Sequence, residues 1–187
     1  MVTHLDKPIK SSFLSCEKDL ELIIEELFVK NKRYARTLKK LLIINTKDCL
    51  DNPKYDEIVD KYSVADLIEQ GYIRFKPKIE MNEHEEIKSY IFINFDNFIE
   101  SKNPEFRDNT ISFDIICHTD YWDLGDYRLR PLKILGYIDG MLNKNKLTGI
   151  GILNFVNCKA LLLNENLSGY ILNYIAYHGS DDMIQGN

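Results

Sequence analysis

The sequence predicts a single α+β domain, and three observations carry that prediction. Between residues 15 and 44 the apolar residues recur at three- and four-residue spacing. From Tyr72 onward most segments instead alternate with a period of two. One long helical segment, from Arg128 to Leu142, interrupts that alternation. A chain of 187 residues suits one domain with a real core. The expected division is a helical portion over about 12–70, a mostly antiparallel sheet with its crossing helix over about 71–179, and a flexible tail at 180–187.

In the first helix, Ser15 to about Val29, the residues Leu20, Ile23, Ile24, Leu27 and Phe28 form the apolar face. The segment KNKRYARTLKK follows, with six basic residues and no acid. It reads as the solvated face of a second helix that buries Tyr34, Leu38, Leu41 and Leu42. Its sharper reading is a grip on an acidic partner or on phosphates. Asn52-Pro53 breaks the pattern, and Ser63 then caps a short helix with Asp66 at the capping-box position and Gly71 as terminator.

Strands are expected at 72–79, 90–95, 111–118, 148–156, 158–163 and 169–177, with turns near Asn157 and over ENLSG. Pro77 places the first at a sheet edge or ends it there. The second is apolar on both faces, which implies cover on both sides. In the crossing helix Leu129, Leu132, Leu135, Ile138, Met141 and Leu142 trace one face. Asp126 is placed to cap it, Pro131 falls in its first turn, and Gly136 and Gly140 mark a close approach to the sheet.

The stretch ISFDIICHTDYWDLGDYRLRP gathers a histidine, a cysteine, four aspartates and the one tryptophan. Strand geometry takes this cluster apart. Cys117 and His118 are adjacent and point to opposite faces. Asp114 and His118 share a face but stand about 13 Å apart, too far for an acid/base pair. A metal-dependent nuclease or phosphoesterase using Asp114, Asp120 or Asp123 with His118 is therefore the weaker reading. Cys16, Cys49, Cys117 and Cys158 lack paired spacing, so buried thiols are expected rather than zinc ligands. No catalytic residue, metal or cofactor is expected. The N-terminus lacks a continuous apolar stretch, and no apolar run is long enough to span a bilayer, so assembly in the cytoplasm without membrane contact is expected. The net charge of −5 provides no overall pull toward nucleic acid.

The run from YIFINFDNF through NPEFRDNTISFDIICHTDYW, DYRLRPLKILGYIDGMLN, KLTGIGILNF and LNENLSGYILNYIAYHG resembles tailed-bacteriophage neck proteins of the tail-terminator or tail-completion group. It covers about half the chain, Tyr90 to Gly179. The resemblance implies a structural protein of the virion that is not an enzyme. It implies a ring, usually of six copies, capping the tail tube and joining it to the head. Its implied partners are copies of itself, the head-side connector, the tail tube and double-stranded DNA passing through an acidic lumen without sequence-specific binding. The N-terminal helices are longer than the minimal fold of that group. Tyr121, Trp122, Arg128, Arg130, Phe106 and Arg107, beside the strand–helix loop, are the expected partner contacts. A free-standing module whose segment 30–40 binds an acidic partner is the remaining alternative.

Overall fold

The computed structural model of the chain describes residues 16–75, 88–100, 107–147 and 150–177, and every structural statement below concerns these. Helix α1 (Cys16–Glu25) runs on into a π turn (Glu26–Lys30). Helices α2 (Lys32–Ile43), α3 (Lys54–Val59) and α4 (Val64–Glu69) follow. The Ser63–Asp66 capping box forms as expected, and Gly71 leaves the helix at a φ of +74°. Helix α3 lies directly after Pro53, where the sequence reading saw only a break. Its lone buried residue, Val59, gives too little periodicity to register.

Six strands build one sheet in the order β1-β2-β3-β6-β5-β4. They are β1 (Ile73–Arg74), β2 (Ser89–Glu100), β3 (Arg107–His118), β4 (Lys146–Leu147), β5 (Gly151–Leu162) and β6 (Leu167–Tyr177). Only the β1–β2 pair is parallel, so the mostly antiparallel α+β fold is the one expected. β1 does lie at an edge. Pro77 and the tail from 178 onward fall outside the described residues.

All the helices that reach the sheet serve one core. Ile23 and Leu27, Leu38 and Leu41 from α2, and Ile134 and Ile138 from α5 (Arg130–Leu142) meet Ile91, Ile93, Ile111, Phe113, Ile115, Leu172 and Tyr174. Phe113 and Tyr174 pack edge to face with centroids 5.9 Å apart. The Tyr174 hydroxyl donates to Asp139 Oδ1 at 2.7 Å, tying β6 to α5. On the opposite face Tyr90, Phe92, Ile116 and Leu167 form a smaller cluster. The Arg74 guanidinium lies 4.7 Å from the centre of the Tyr90 ring. β2 is thus covered on both faces, as its composition implied.

Several expectations are corrected. The strands expected at 148–156 and 158–163 are one strand, β5. Its register slips between Phe155 and Asn157, so Val156 is a bulge residue and Asn157 stays in the ladder, accepting from Asn173 Nδ2 at 2.8 Å. The turn expected over ENLSG lies earlier, at 163–166, and Gly169 belongs to β6. Asp126 does not cap α5. Residues 125–128 form a tight turn in which Arg128 N–H donates to Gly125 O at 2.9 Å. Asp126 and Tyr127 take φ values of +49° and +60° there, the pattern of a type I′ hairpin turn.

Helix α5 starts at Arg130 behind Leu129, which supplies no side-chain cap, and Pro131 sits in the first turn as expected. Leu132, assigned to the buried face, is 46% exposed, and Ile134 takes its place in the core. Gly136 and Gly140 have nothing within reach of an added Cβ, so neither marks a close approach. Tyr34 is also half out of the core, its ring tilted against that of Tyr137 with centroids 5.9 Å apart. Cys49 and Cys117 are buried thiols, Cys16 is half-buried, and Cys158 is exposed rather than buried.

The close approach is instead at Gly169, where a Cβ would fall 1.8 Å from the backbone oxygen of Ile115 in the central strand. Two paired strands hold that oxygen, so it has nowhere to retreat. Gly169→Ala is expected to cost ~2 kcal/mol or more, read as a fall in the thermal midpoint by circular dichroism.

Candidate interaction surface

The strand–helix connection is organised around Arg130, whose side chain is fully buried. Its Nε donates to Tyr121 O at 2.7 Å, one terminal nitrogen to Leu41 O at 2.6 Å, and the other to Thr46 O at 2.9 Å. Leu41 lies in the last turn of α2, where carbonyls lack helical partners and the helix dipole is negative. The cation therefore closes the end of α2 and holds the 119–122 turn against it. The reading of Arg130 as an exposed partner contact is corrected: the segment after α2 folds over it.

Its neighbours divide. Arg128 reaches Asp51 with two parallel bonds of 3.0 and 2.5 Å, fastening the hairpin turn to the loop after α2. Trp122 is half-buried, its Nε1 donating to Cys117 O at 3.3 Å and its ring lying 6.2 Å from that of Tyr170. Tyr121 is also half-buried, 6.1 Å from the His118 ring. Phe106 and the Arg107 side chain lie outside the described residues.

Asp114 and His118 stand four residues apart in the regular ladder of β3, as strand geometry required, while Asp120 and Asp123 lie in the turns that follow. Asp123 accepts from Lys47 Nζ and from Gly125 N–H, each at 2.7 Å. Those bonds hold its carboxyl below the ordinary range. His118 Nδ1 accepts from the Asp120 N–H at 3.3 Å, capping a short 3-10 turn (Thr119–Tyr121), and the largely exposed Asp120 carboxylate stands 3.6 Å from the same nitrogen, so the fold brings these two side chains together. Cys117 is sealed in the core, and burial pushes its thiol up to about 11. Asp114 projects from the helix-free face of the sheet. Among the described residues, no group of three or more His, Cys, Asp or Glu side chains is placed to hold a metal ion.

The basic segment is largely committed within the molecule. Lys30 pairs with Glu26, Arg36 with Asp60 and Lys40 with Asp56, while Lys39 donates to Tyr62 O. Arg36, Lys39 and Lys40 thus fasten α2 to α3 and its flanks, and the Lys30–Glu26 pair lies within the π turn.

The surface that stands out lies elsewhere, on β5. Among the described residues, β5 pairs on its outer side only with β4, at Gly151 and Ile152. Lys144 N–H and the Asn143 side chain extend that cover to Leu153 and Phe155. Beyond them Phe155, Val156 and Leu162 are 49%, 48% and 82% exposed, and Cys158, Lys159 and Ala160 are exposed as well. A long apolar strand edge is what monomeric proteins normally blunt. A second such feature is Tyr127, fully exposed at the hairpin tip in a backbone region where glycine is at home. Sequence reasoning missed both. The signal available for β5 was GILNFVNC, which is apolar on both faces and uncharged.

At the other side of the sheet a groove of about 600 Å³ runs beside β2. Ile93, Asn94, Phe95 and Asp96 line it together with Cys16, Glu17, Leu20 and Phe75. It reaches Ser112 and Asp114 on the helix-free face, where Ser112 Oγ donates to Asp96 at 3.0 Å. Burial, and then the Asp96 carboxylate, raise the pKa of Asp114.

These features define the class first: a single-domain α+β protein with an accessible strand edge. The family model YomW matches residues 36–176, and the chain belongs to that phage-associated family. The match begins inside α2, so α1 and the π turn lie outside it, although Ile23 and Leu27 are core residues. No curated protein matches the chain. No helix among the described residues is long and apolar enough to cross a membrane.

Two outcomes are expected. Replacing Arg130 by Met strands three carbonyls and costs ~3 kcal/mol or more, measured by urea unfolding. The second concerns Asp114, whose folded pKa stands above its unfolded value near 4. Its burial therefore destabilises the fold increasingly as pH rises from the unfolded pKa through the folded one, and not below. Asp114→Asn should raise the thermal midpoint at pH 7 and leave it unchanged at pH 3.

Proposed function

We propose that the protein is a structural component of a phage particle, acting at the head–tail neck as a tail terminator or tail-completion protein. In this reading copies associate into a ring, six being the number the family resemblance implies. The ring caps the tail tube and joins it to the head. The observation that carries the reading is the exposed β5 edge, uncapped over Val156–Leu162 in a protein of a phage-associated family. An edge of this kind is stabilised when a neighbouring strand satisfies its backbone groups and buries its side chains.

The head-side connector and the tail tube would meet the ring through its loops, with Tyr127 at the tip of one of them. Arg128, Tyr121 and Trp122 then act mainly by holding that loop in shape. The chain's net charge of −5 suits a lumen through which DNA slides without sticking.

Light scattering on the purified protein tests self-association, and a tagged copy imaged in intact particles tests location. Density for the tag at the neck, with a mass in solution rising with concentration toward a closed ring, is the expected result. Particles complete and infectious without this chain would overturn the reading.

A further inference from the structure

We infer that the β5 edge of one copy docks into the groove beside β2 of the next copy. The inference rests on the self-association proposed above and names the surfaces that join. Three observations support it.

The first is the direction of the strands. β2, β3, β6 and β5 follow one another through three antiparallel pairings, so β5 runs opposite to β2 within a single copy. When a second copy extends the sheet in the same orientation, its β2 meets β5 as an antiparallel partner, with the same face outward. The second is charge. Residues 143–163, the β4–β5 side of the sheet, carry three lysines and no acid, in a chain of net charge −5. The β2 groove has the opposite character: Glu17, Asp96 and Asp114 line it, and no lysine or arginine does among the described residues.

The third is alignment across the face. The pairings place Lys159 beside Ile171, and Ile171 beside Asp114, all on the helix-free side, the side on which Asp96 also stands. Lys159 of an incoming strand therefore approaches the Asp96–Asp114 pair on the face they share. The raised pKa of Asp114 adds to this, because a docked ammonium favours the ionised form.

Among the described residues β1 covers β2 at Ile91 and Phe92, so the incoming strand lies against Ile93–Asp96. Within one copy Lys159 stands level with Phe92. Neighbouring copies are consequently staggered along the strands, as tilted strands in a closed sheet require. Because the two surfaces differ, the contact is head-to-tail and repeats from copy to copy instead of stopping at a dimer, giving a ring when the rotation between copies closes.

A mixing experiment tests this. One variant, Val156→Lys with Leu162→Lys, blocks the strand and keeps the groove. The other, Glu17→Lys with Asp96→Lys, blocks the groove and keeps the strand. Each alone should be monomeric by light scattering with a native melting profile. Mixed in equal amounts, they should double in mass to a one-to-one pair and go no further. A mixture that stays monomeric overturns the inference, as does a groove-blocked variant that dimerises alone through two β5 strands. If the wild type assembles while the mixture fails, the ring reading stands and this interface does not. If neither assembles, both fall. Should either double variant misfold, Lys159→Glu is the second probe. It should raise the concentration needed for assembly at least tenfold, and mixing it with Asp96→Lys should reverse that; no change in either overturns the inference.

Discussion

The arrangement of helices on this sheet depends on one buried cation. Arg130 is held by three backbone carbonyls, from the end of α2, the segment after it and the turn before α5. None of these carbonyls has a regular ladder or helix partner to fall back on. The guanidinium fork meets all three at once because its donors are rigid and planar. The link joins residues 89 positions apart, so it fixes the N-terminal helices over the sheet and the hairpin turn at its margin.

That constraint explains the division of labour between the two sides of the sheet. With α1, α2 and α5 committed to one face, β2, β3 and β6 bury their odd- or even-numbered apolar sets against them. The other face holds a small aromatic cluster at one end and a polar field of Asn94, Asp96, Ser112 and Asp114 beyond it. Among the described residues the second half of β5 has no partner along its outer edge and is mostly exposed, with Leu161 packed on the small aromatic cluster. A strand in that position is half a structure, which is the physical basis for reading the protein as one that works in contact with others.

The polar side chains around Trp122 hold the strand–helix connection together. Asp123 holds the turn through Gly125 and binds Lys47, Asp126 lies 3.8 Å from the Arg128 guanidinium, and His118 caps a turn with its Nδ1, 3.6 Å from the Asp120 carboxylate. Charged and aromatic residues crowd this stretch because a strand, a tight turn and a helix start must be joined within a few residues. Family membership in a phage-associated group fits a protein of this design.

Local pattern alone determined much of this. Period-two alternation located β2, β3 and β6, helical spacing located α1, α2 and α5, and the Ser63–Asp66 pair marked a helix start, because each signal is written in residues a few positions apart. The divergence of Cys117, His118 and Asp114 was legible for the same reason. Tertiary structure alone decided the burial of Arg130, since its acceptors come from Leu41 and Thr46, far away in the chain. It decided that Asn157 continues a strand, because the bulge is defined by register against β6. It decided that Gly169, unlike Gly136 and Gly140, is held to its size by a neighbour. Which strand lies at an edge depends on the order in which strands pair, and that order is set by long-range burial that no local window of sequence contains.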